Sequence, residues 1–466
     1  MLLGYRKEVS MKNKNILVIG LGVSGIACIK GLSMLGANLY VYDENKQSAE
    51  KLRELENIKA EYFFGNESIE KINMALLDLA IKSPGIKYEV PIIQKLTENN
   101  IKIISDIEAA YKVTDALIVS ITGTNGKTTT TTLVGEIVKE SKKRCRLTGN
   151  IGYGMFYDAI NSEKGDILVA EVSSFQLAGT YEYKPHISII TNITPDHMDY
   201  HHTFENYAEA KFKNVINQEE SDYAILNYED EVIRNFSNKI KAKKIFFSSE
   251  QILNEGICVE DGNMVFKYND ATKFIINVKD IFIPGKHNLE NAMAAAGAAL
   301  ALGIDTEIIA HVLKEFKGVE HRLEFCGEFN GVKFYNDSKG TNPDASIKAV
   351  QGIEKPIILI AGGYDKKSSY DDFIKAFGDK VKSLVLLGQT ACDIDKCARK
   401  YGFTDIYHVD NMDEAVKKCF ELSNKGDNVV LSPACASWGM YPNYEVRGRD
   451  FKERVNYYGG NSKESR

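Results

Sequence analysis

Residues 120–130 read SITGTNGKTTT, a run whose residue types and spacing suit the grip of a polyphosphate. Glycines let the backbone curl so that several N–H groups face one anion. The turn is Gly123-Thr124-Asn125-Gly126-Lys127-Thr128-Thr129, placed between an apolar strand and a helix-compatible stretch, TTTTLVGEIVKE. A helix starting there adds its positive dipole end. Lys127 brings a mobile positive charge to the outer phosphates, and Thr128 a hydroxyl for Mg²⁺. The spacing is shorter than the usual GxxxxGK[ST] phosphate loop, which would need glycine where the chain has Ile121. An ordinary glycine turn ahead of a helix is the alternative.

Two more apolar runs end in reactive residues. ILVAEV delivers Glu171 and then Ser173-Ser174; ISIITNI delivers Asn192, Asp196, His197 and Asp199. In open α/β sheets ligands gather at the carboxyl ends of the strands. If these strands are neighbours, Glu171 and His197 face the phosphates held by Lys127. A carboxylate ending so apolar a strand is costly without a cation beside it, and Mg²⁺, which takes oxygen ligands, is the natural partner. A salt bridge for Glu171 and a hydrogen-bonded loop role for His197 are the alternatives. His201 and His202 are expected to face solvent. Lys211, in FENYAEAKFKNVI, reads by spacing as a surface lysine.

Near the N-terminus, KNILVIG runs into Gly20-x-Gly22-x-x-Gly25, and the next strand ends at Asp43. That is the dinucleotide fingerprint, although a glycine turn on a helix N-terminus binds any diphosphate, including that of a UDP-sugar. A later strand ends in Ser83-Pro84-Gly85. In the last third, HRLE (321–324), YNDSKGTN (335–342), GGYDK (362–366) and SPACAS (432–437) each follow or end an apolar run. Arg322 among them suits bidentate anion binding.

The elements that position these residues alternate strand and helix, which implies parallel sheets with crossover helices. The fold class expected is α/β in three domains. These are a Rossmann-like N-terminal domain (1–112), a central phosphate-loop ATPase-like domain with a parallel sheet (113–317) and a Rossmann-like C-terminal domain (318–466). The 466 residues suit about three domains by length. A net charge of −6 argues against non-specific nucleic-acid binding. No apolar run reaches the roughly 18 residues of a membrane span. Glycines interrupt the apolar stretch after the basic N-terminus, so no signal peptide is expected. Eight cysteines without CxxC pairs suit free thiols in a reducing cytoplasm.

Taken together, GTNGKTT, EVSSFQL (171–177), NITPDHMD (192–199), GKHNLENAMAA (285–295), HRLE and NDSKGTNPD (336–344) resemble the Mur ligase family. Its members are ATP-dependent amide-forming enzymes of peptidoglycan precursor synthesis. GLGVSG, KSPGI, LSPACASW and RGRDF look most like the member that adds D-glutamate to UDP-N-acetylmuramoyl-L-alanine. The resemblance implies an acyl-phosphate mechanism with ATP and two Mg²⁺ ions. Thr128 and Glu171 would serve one ion and His197 the second, with Lys211 carbamylated near it. Asn150 would contact substrate, and Asn288, Arg322 and Asp337 the adenine, phosphate and ribose. Lys339 would lie near the reacting centre. Lys366, Ser437 and Tyr444 would surround the D-glutamate carboxylates, while Gly22, Ser24, Asp43, Ser83 and Gly85 would line the UDP-sugar site. Small-molecule partners only, a monomer, no membrane, and domain closure around ATP are further expectations. The chain departs from the family pattern at Trp438-Gly439, where a bulky apolar residue and then Asp are usual, and at Tyr444, where phenylalanine is common.

Two readings outside this class compete. A nicotinamide dehydrogenase would use the N-terminal fingerprint but leave the phosphate loop unexplained. A non-catalytic nucleotide-binding regulator would have no use for Glu171, His197 and Lys211 together.

Overall fold

The computed structural model describes residues 11–152, 154–364 and 369–461. Its strands fall into three sheets. The first holds β1 (Asn15–Ile19), β2 (Asn38–Asp43), β3 (Ala60–Phe64), β4 (Leu79–Lys82) and β5 (Ile103–Ser105) in the order β3-β2-β1-β4-β5. Every pairing in it is parallel. The chain runs outward from β1 in one direction and resumes at β4 on the other side, so a crevice opens between those two strands at their carboxyl ends.

The second sheet begins with β6 (Leu117–Thr122), β7 (Cys145–Gly149), β8 (Ile167–Glu171) and β9 (Ile187–Ile190). It continues through β10 (Tyr223–Asn227), β11 (Lys243–Ser248), β12 (Gly256–Glu260), β13 (Asn263–Tyr268) and β14 (Ala271–Asn277). Its order is β14-β13-β12-β11-β10-β9-β6-β8-β7. The strands from β7 to β12 pair in parallel, and an antiparallel meander, β12-β13-β14, ends the sheet. β6, β8 and β9 are buried along almost their whole length, as near-continuous apolar runs require when helices cover both faces.

These two sheets share a hydrophobic core, in which Ile16, Val18 and Cys28 pack in one cluster with Phe156, Leu168 and Tyr183. Residues 1–281 and 289–314 accordingly form one compact unit. Glu108, fully buried, fastens it further. Its carboxylate accepts the backbone N–H groups of Tyr181, Glu182 and Tyr183 at 2.9–3.2 Å.

The second compact unit is residues 282–288 with 315–466. It holds β15 (Glu324–Phe329), β16 (Val332–Asn336), β17 (Ile357–Ala361), β18 (Val381–Leu386), β19 (Ile406–His408) and β20 (Asn428–Leu431). The order is β15-β16-β20-β17-β18-β19, with an antiparallel hairpin at one edge and parallel pairing elsewhere. Separate apolar clusters cover its two faces.

Replacing Glu108 by Ala removes a carboxylate that satisfies three backbone donors. A loss of about 3 kcal/mol in the unfolding free energy of the first unit is expected, read as a lowered denaturation midpoint against the parent chain.

Candidate active site

β6, β8 and β9 lie side by side, with Ile121 opposite Glu171 and Thr122 opposite Ile190, so their carboxyl ends form one edge. The phosphate loop leaves β6 there and enters the helix Lys127–Glu140. Gly123 (φ +150°) has no room for a side chain, since a Cβ would come within 1.9 Å of Thr191 Oγ1. Gly126 takes the left-handed N-cap conformation (φ +82°) against Asn291. The loop is held from β9's side. Thr124 N–H donates to the Asn192 carbonyl and Asn125 N–H to Asn192 Oδ1, while Thr191 Oγ1 donates to the Asn125 carbonyl at 2.6 Å. The first-turn amides of the following helix have no intrahelical acceptor and point out of its N-terminus.

Two lysines converge on this loop. Lys127 Nζ donates to the carbonyls of Gly123 and Thr124, both at 2.9 Å. Lys211 Nζ donates to the same Gly123 carbonyl at 2.7 Å and lies 4.7 Å from the Tyr207 ring centroid. Lys211 is 1% exposed, against the surface position its spacing suggests. The helix Phe204–Phe212, capped by Thr203, turns it inward. Burial pushes its pKa well down, the charge of Lys127 pushes it further, and Asp196 opposes both.

Glu171 is 2% exposed. Oε1 accepts from Asn150 Nδ2 at 2.9 Å, and Oε2 has no partner among the described residues. A buried, half-satisfied carboxylate beside a phosphate loop fits a hard cation, with the hydroxyl of Thr128 as a further oxygen donor of the right kind. After Glu171, Ser173 and Gln176 form a reciprocal capping box that starts the helix Ser174–Ala178. The Phe175 ring on it lies 4.7 Å from that of His197, tilted at 54°; His197 holds a left-handed backbone (φ +56°) and is 3.6 Å from Asp196.

In the crevice of the first sheet, a cavity of about 580 Å³ is lined by Gly20–Ser24, Asp43–Asn45 and Ser83–Ile86. Space beside Gly22 and Gly85 is open, whereas a Cβ on Gly25 would sit 1.8 Å from the Gly20 carbonyl. Two glycines thus leave room in the cavity, and the third lets helix and strand approach. Asp43 braces the loop opposite, accepting from Leu21 N–H (2.7 Å) and Asn45 N–H (2.9 Å).

In the second unit, the carboxyl ends of β16, β20 and β17 adjoin. Asp337 after β16 is buried, which pushes its carboxyl up to about 7. Hydrogen bonds from Ser432 and from Leu323 N–H pull the other way, as do the charges of Arg322 and Arg447. Lys339 Nζ lies 3.9 Å from the ring centroid of Tyr444, and Ser437 is buried after β20. Asn288 is buried and donates to the Pro284 carbonyl. Lys366 falls outside the described residues.

Family models match in three consecutive stretches: "Mur ligase MurD-like, N-terminal domain" at 14–105, "Mur ligase middle domain" at 121–299, and "Mur ligase, glutamate ligase domain" at 321–435. The chain is 49% identical over 450 residues to the UDP-N-acetylmuramoylalanine–D-glutamate ligase of Alkaliphilus oremlandii, covering 96% of this chain and 99% of that one. It belongs to the Mur ligase family. The ligase of the same name from Clostridioides difficile is 45% identical over 456 residues, again with 96% and 99% covered. Two solved structures share the fold. The UDP-N-acetylmuramate–alanine ligase of Thermotoga maritima has a TM-score of 0.59 at 21% identity, with 96% of this chain and 100% of that one covered. The MurF ligase of the same organism in complex with ADP gives 0.57 at 17%, with 98% and 100% covered.

Sequence reasoning missed two parts of this Mur ligase site. His201 does not face solvent: it is 6% exposed, and its Nε2 pairs with Ser174 Oγ at 3.0 Å, because the short helix Met198–His201 lays that face on Phe175 and Tyr207. His202 is exposed and meets Glu89. Lys82, ending β4, is also buried. Its Nζ donates to the carbonyls of Ser83, Pro84 and Ile86 and to Tyr200 OH, fixing the turn that lines the cavity. Burial lowers its pKa to about 8. A charged residue ending an apolar strand is the signal that pointed to Glu171, and it applied equally to Lys82. Among the described residues no helix is long and apolar enough to cross a membrane.

Burial, aided by the neighbouring His197, lowers the His201 pKa from 6.5 to about 4. Between those values the unfolded chain binds more protons than the folded one, so stability falls as pH drops from 6.5 toward 4. His201→Gln is expected to flatten that limb of the melting temperature against pH, with little change above pH 7.

Proposed function

We propose that the chain is an ATP-dependent ligase that joins D-glutamate to UDP-N-acetylmuramoyl-L-alanine in peptidoglycan precursor synthesis. One observation carries this reading: Lys127, Lys211 and Glu171 share one sheet edge in a chain 49% identical, over almost its whole length, to a D-glutamate ligase. A nicotinamide dehydrogenase would account for the first-sheet crevice and leave that edge without a use.

A carboxylate is a poor electrophile, so the terminal carboxylate of the UDP-sugar substrate is first phosphorylated by ATP, giving an acyl phosphate and ADP. The amine of D-glutamate attacks the acyl carbon and loses a proton. The tetrahedral adduct collapses to the amide with release of phosphate. Positioning and charge neutralisation supply most of the catalysis in such transfers. The phosphate-loop amides and Lys127 cradle the outer phosphates. Thr128 and Glu171 would hold one Mg²⁺, and His197 with Lys211 a second; when bound, the metal supplies positive charge to the transferring phosphoryl group. Arg322, Asp337 and Asn288 contact the nucleotide. Lys339 lies near the reacting centre, and Lys366, Ser437 and Tyr444 bind the D-glutamate carboxylates. Gly22, Ser24, Asp43, Ser83, Gly85 and Asn150 take the UDP-sugar. The free thiols suit a cytoplasmic enzyme, which acts as a monomer.

Lys211 is the residue whose chemistry stands out. Two ammonium groups on one carbonyl repel each other, and a buried amine is held toward its neutral form, which is the form that adds CO₂. Carbamylation replaces the second cation by an anion beside Lys127. Lys211→Ala is therefore expected to lose about 10³-fold or more in kcat, in the range of removing one group that acts on transition-state charge. Short carboxylic acids should restore part of the activity; a variant as active as the parent without them would refute the carbamate.

Phosphate release by the purified protein, with ATP, Mg²⁺ and UDP-N-acetylmuramoyl-L-alanine, tests the main reading. D-Glutamate alone is expected to support it among D-glutamate, L-glutamate, L-alanine, L-lysine and a diamino acid. Release with another acceptor moves the chain to a sister reaction, and none with any acceptor refutes the ligase.

A further inference from the structure

RGRDF, at residues 447–451, lies in the helix Tyr444–Asn461 and has no part in the chemistry above. Its first residue, Arg447, is 3% exposed. All of its hydrogen bonds go to neutral acceptors on two strand-end loops. Nε donates to Ser338 Oγ (3.0 Å), Nη2 to the Ser338 carbonyl (2.8 Å) and Nη1 to the Cys435 carbonyl (3.1 Å). Ser338 Oγ in turn donates to the Tyr444 carbonyl at 2.8 Å. A Cβ on Gly363, after β17, would sit 3.3 Å from Nη1. The guanidinium thus lies beneath the loops that leave β16, β20 and β17 and beside the start of the helix.

Its neighbours in sequence are the residues proposed for the amino acid. Ser338 precedes Lys339, Cys435 lies two residues before Ser437, and Tyr444 is one helical turn before Arg447. The planar fork makes three bonds in fixed directions, which a lysine could not reproduce. No carboxylate pairs with Arg447 among the described residues, and Asp337 acts on it only through space, behind Cys435 and Tyr441. A buried cation without an ion-pair partner is expensive, and its field extends into whatever lies above it.

We propose that Arg447 is the positioning residue for the amino-acid substrate. It locks the loops carrying Lys339 and Ser437 and the helix start carrying Tyr444 into one arrangement, and its unpaired charge favours an amino acid with a second carboxylate. The proposal rests on the ligase reading above.

Full-length Arg447→Met and Arg447→Lys are assayed by phosphate release, with KM measured separately for each of the three substrates. Arg447→Met is expected to raise KM for D-glutamate about tenfold, the scale of one lost charge-assisted interaction. KM for ATP and for the UDP-sugar should stay within about twofold, as for sites outside the contact network. Arg447→Lys, which keeps the charge but not the fork, should raise KM for D-glutamate by only about threefold. An unchanged KM for D-glutamate in Arg447→Met, or an equal rise for all three substrates, overturns the proposal and leaves the ligase reading standing. A parent enzyme that uses a neutral amino acid in place of D-glutamate moves the chain to a sister ligase reaction and overturns this proposal. Because Arg447→Lys retains the cation, a folding failure of the Met variant still leaves the selective rise in one KM to be read. Its absence there is equally decisive.

Discussion

The Gly123 carbonyl is the point on which the catalytic edge of the second sheet depends. Thr191 closes the space where a side chain would sit, so the loop must turn with the conformational freedom of glycine. That turn directs one carbonyl oxygen to the amines of both Lys127 and Lys211. An oxygen with two lone pairs can accept from both, but two cations cannot share it cheaply in a buried place. The electrostatics of the site follow from that conflict. Burial and the charge of Lys127 push Lys211 toward its neutral form, and Glu171, one strand away, keeps an oxygen without a partner among the described residues.

Both units solve a related problem at their sheet edges. Parallel strands buried on both faces end abruptly, and the polar groups that follow them must be satisfied at once. After β6 and β9 this is done by side chains bonding across strands, as Asn192 and Thr191 do to the phosphate loop. After β4 a buried lysine gathers three carbonyls of the Ser83–Ile86 turn. After β16 and β20 a buried arginine performs the same task. Cations that satisfy loop carbonyls also leave positive potential where anionic substrates are to be held, so loop order and substrate attraction have one physical source.

Acidic groups are treated in the opposite way. Glu108 spends its lone pairs on backbone amides, with Lys112 beside it, whereas Glu171 keeps one oxygen unused among the described residues. The cluster of Glu320, His321 and Glu324 has cation-ligand chemistry, but Lys452 already bridges its two carboxylates, so an internal ammonium fills the role a metal would take.

Much of this was legible in the residues themselves. Glycine spacing at 20–25 and 123–126, apolar runs ending in Glu171 or Asn192, and the strand–helix alternation are local signals, because strand ends and turns are set by nearby residues. The α/β class and the three sheets followed from them. What remained hidden depends on which elements meet. Lys211 and His201 sit in polar stretches with no burial signal, and only packing of their short helices against the phosphate loop and Phe175 takes them out of water. Arg447 and Lys82 likewise gain their roles from a loop 109 residues away in the chain or from a turn that closes over them. By itself the sequence determined the strands that lead into the glycine turns, Glu171 and Asn192, the phosphate loop and the family. The tertiary structure alone decided which charges are buried and on which carbonyls they converge, because burial is a property of the assembled neighbours and not of any one segment.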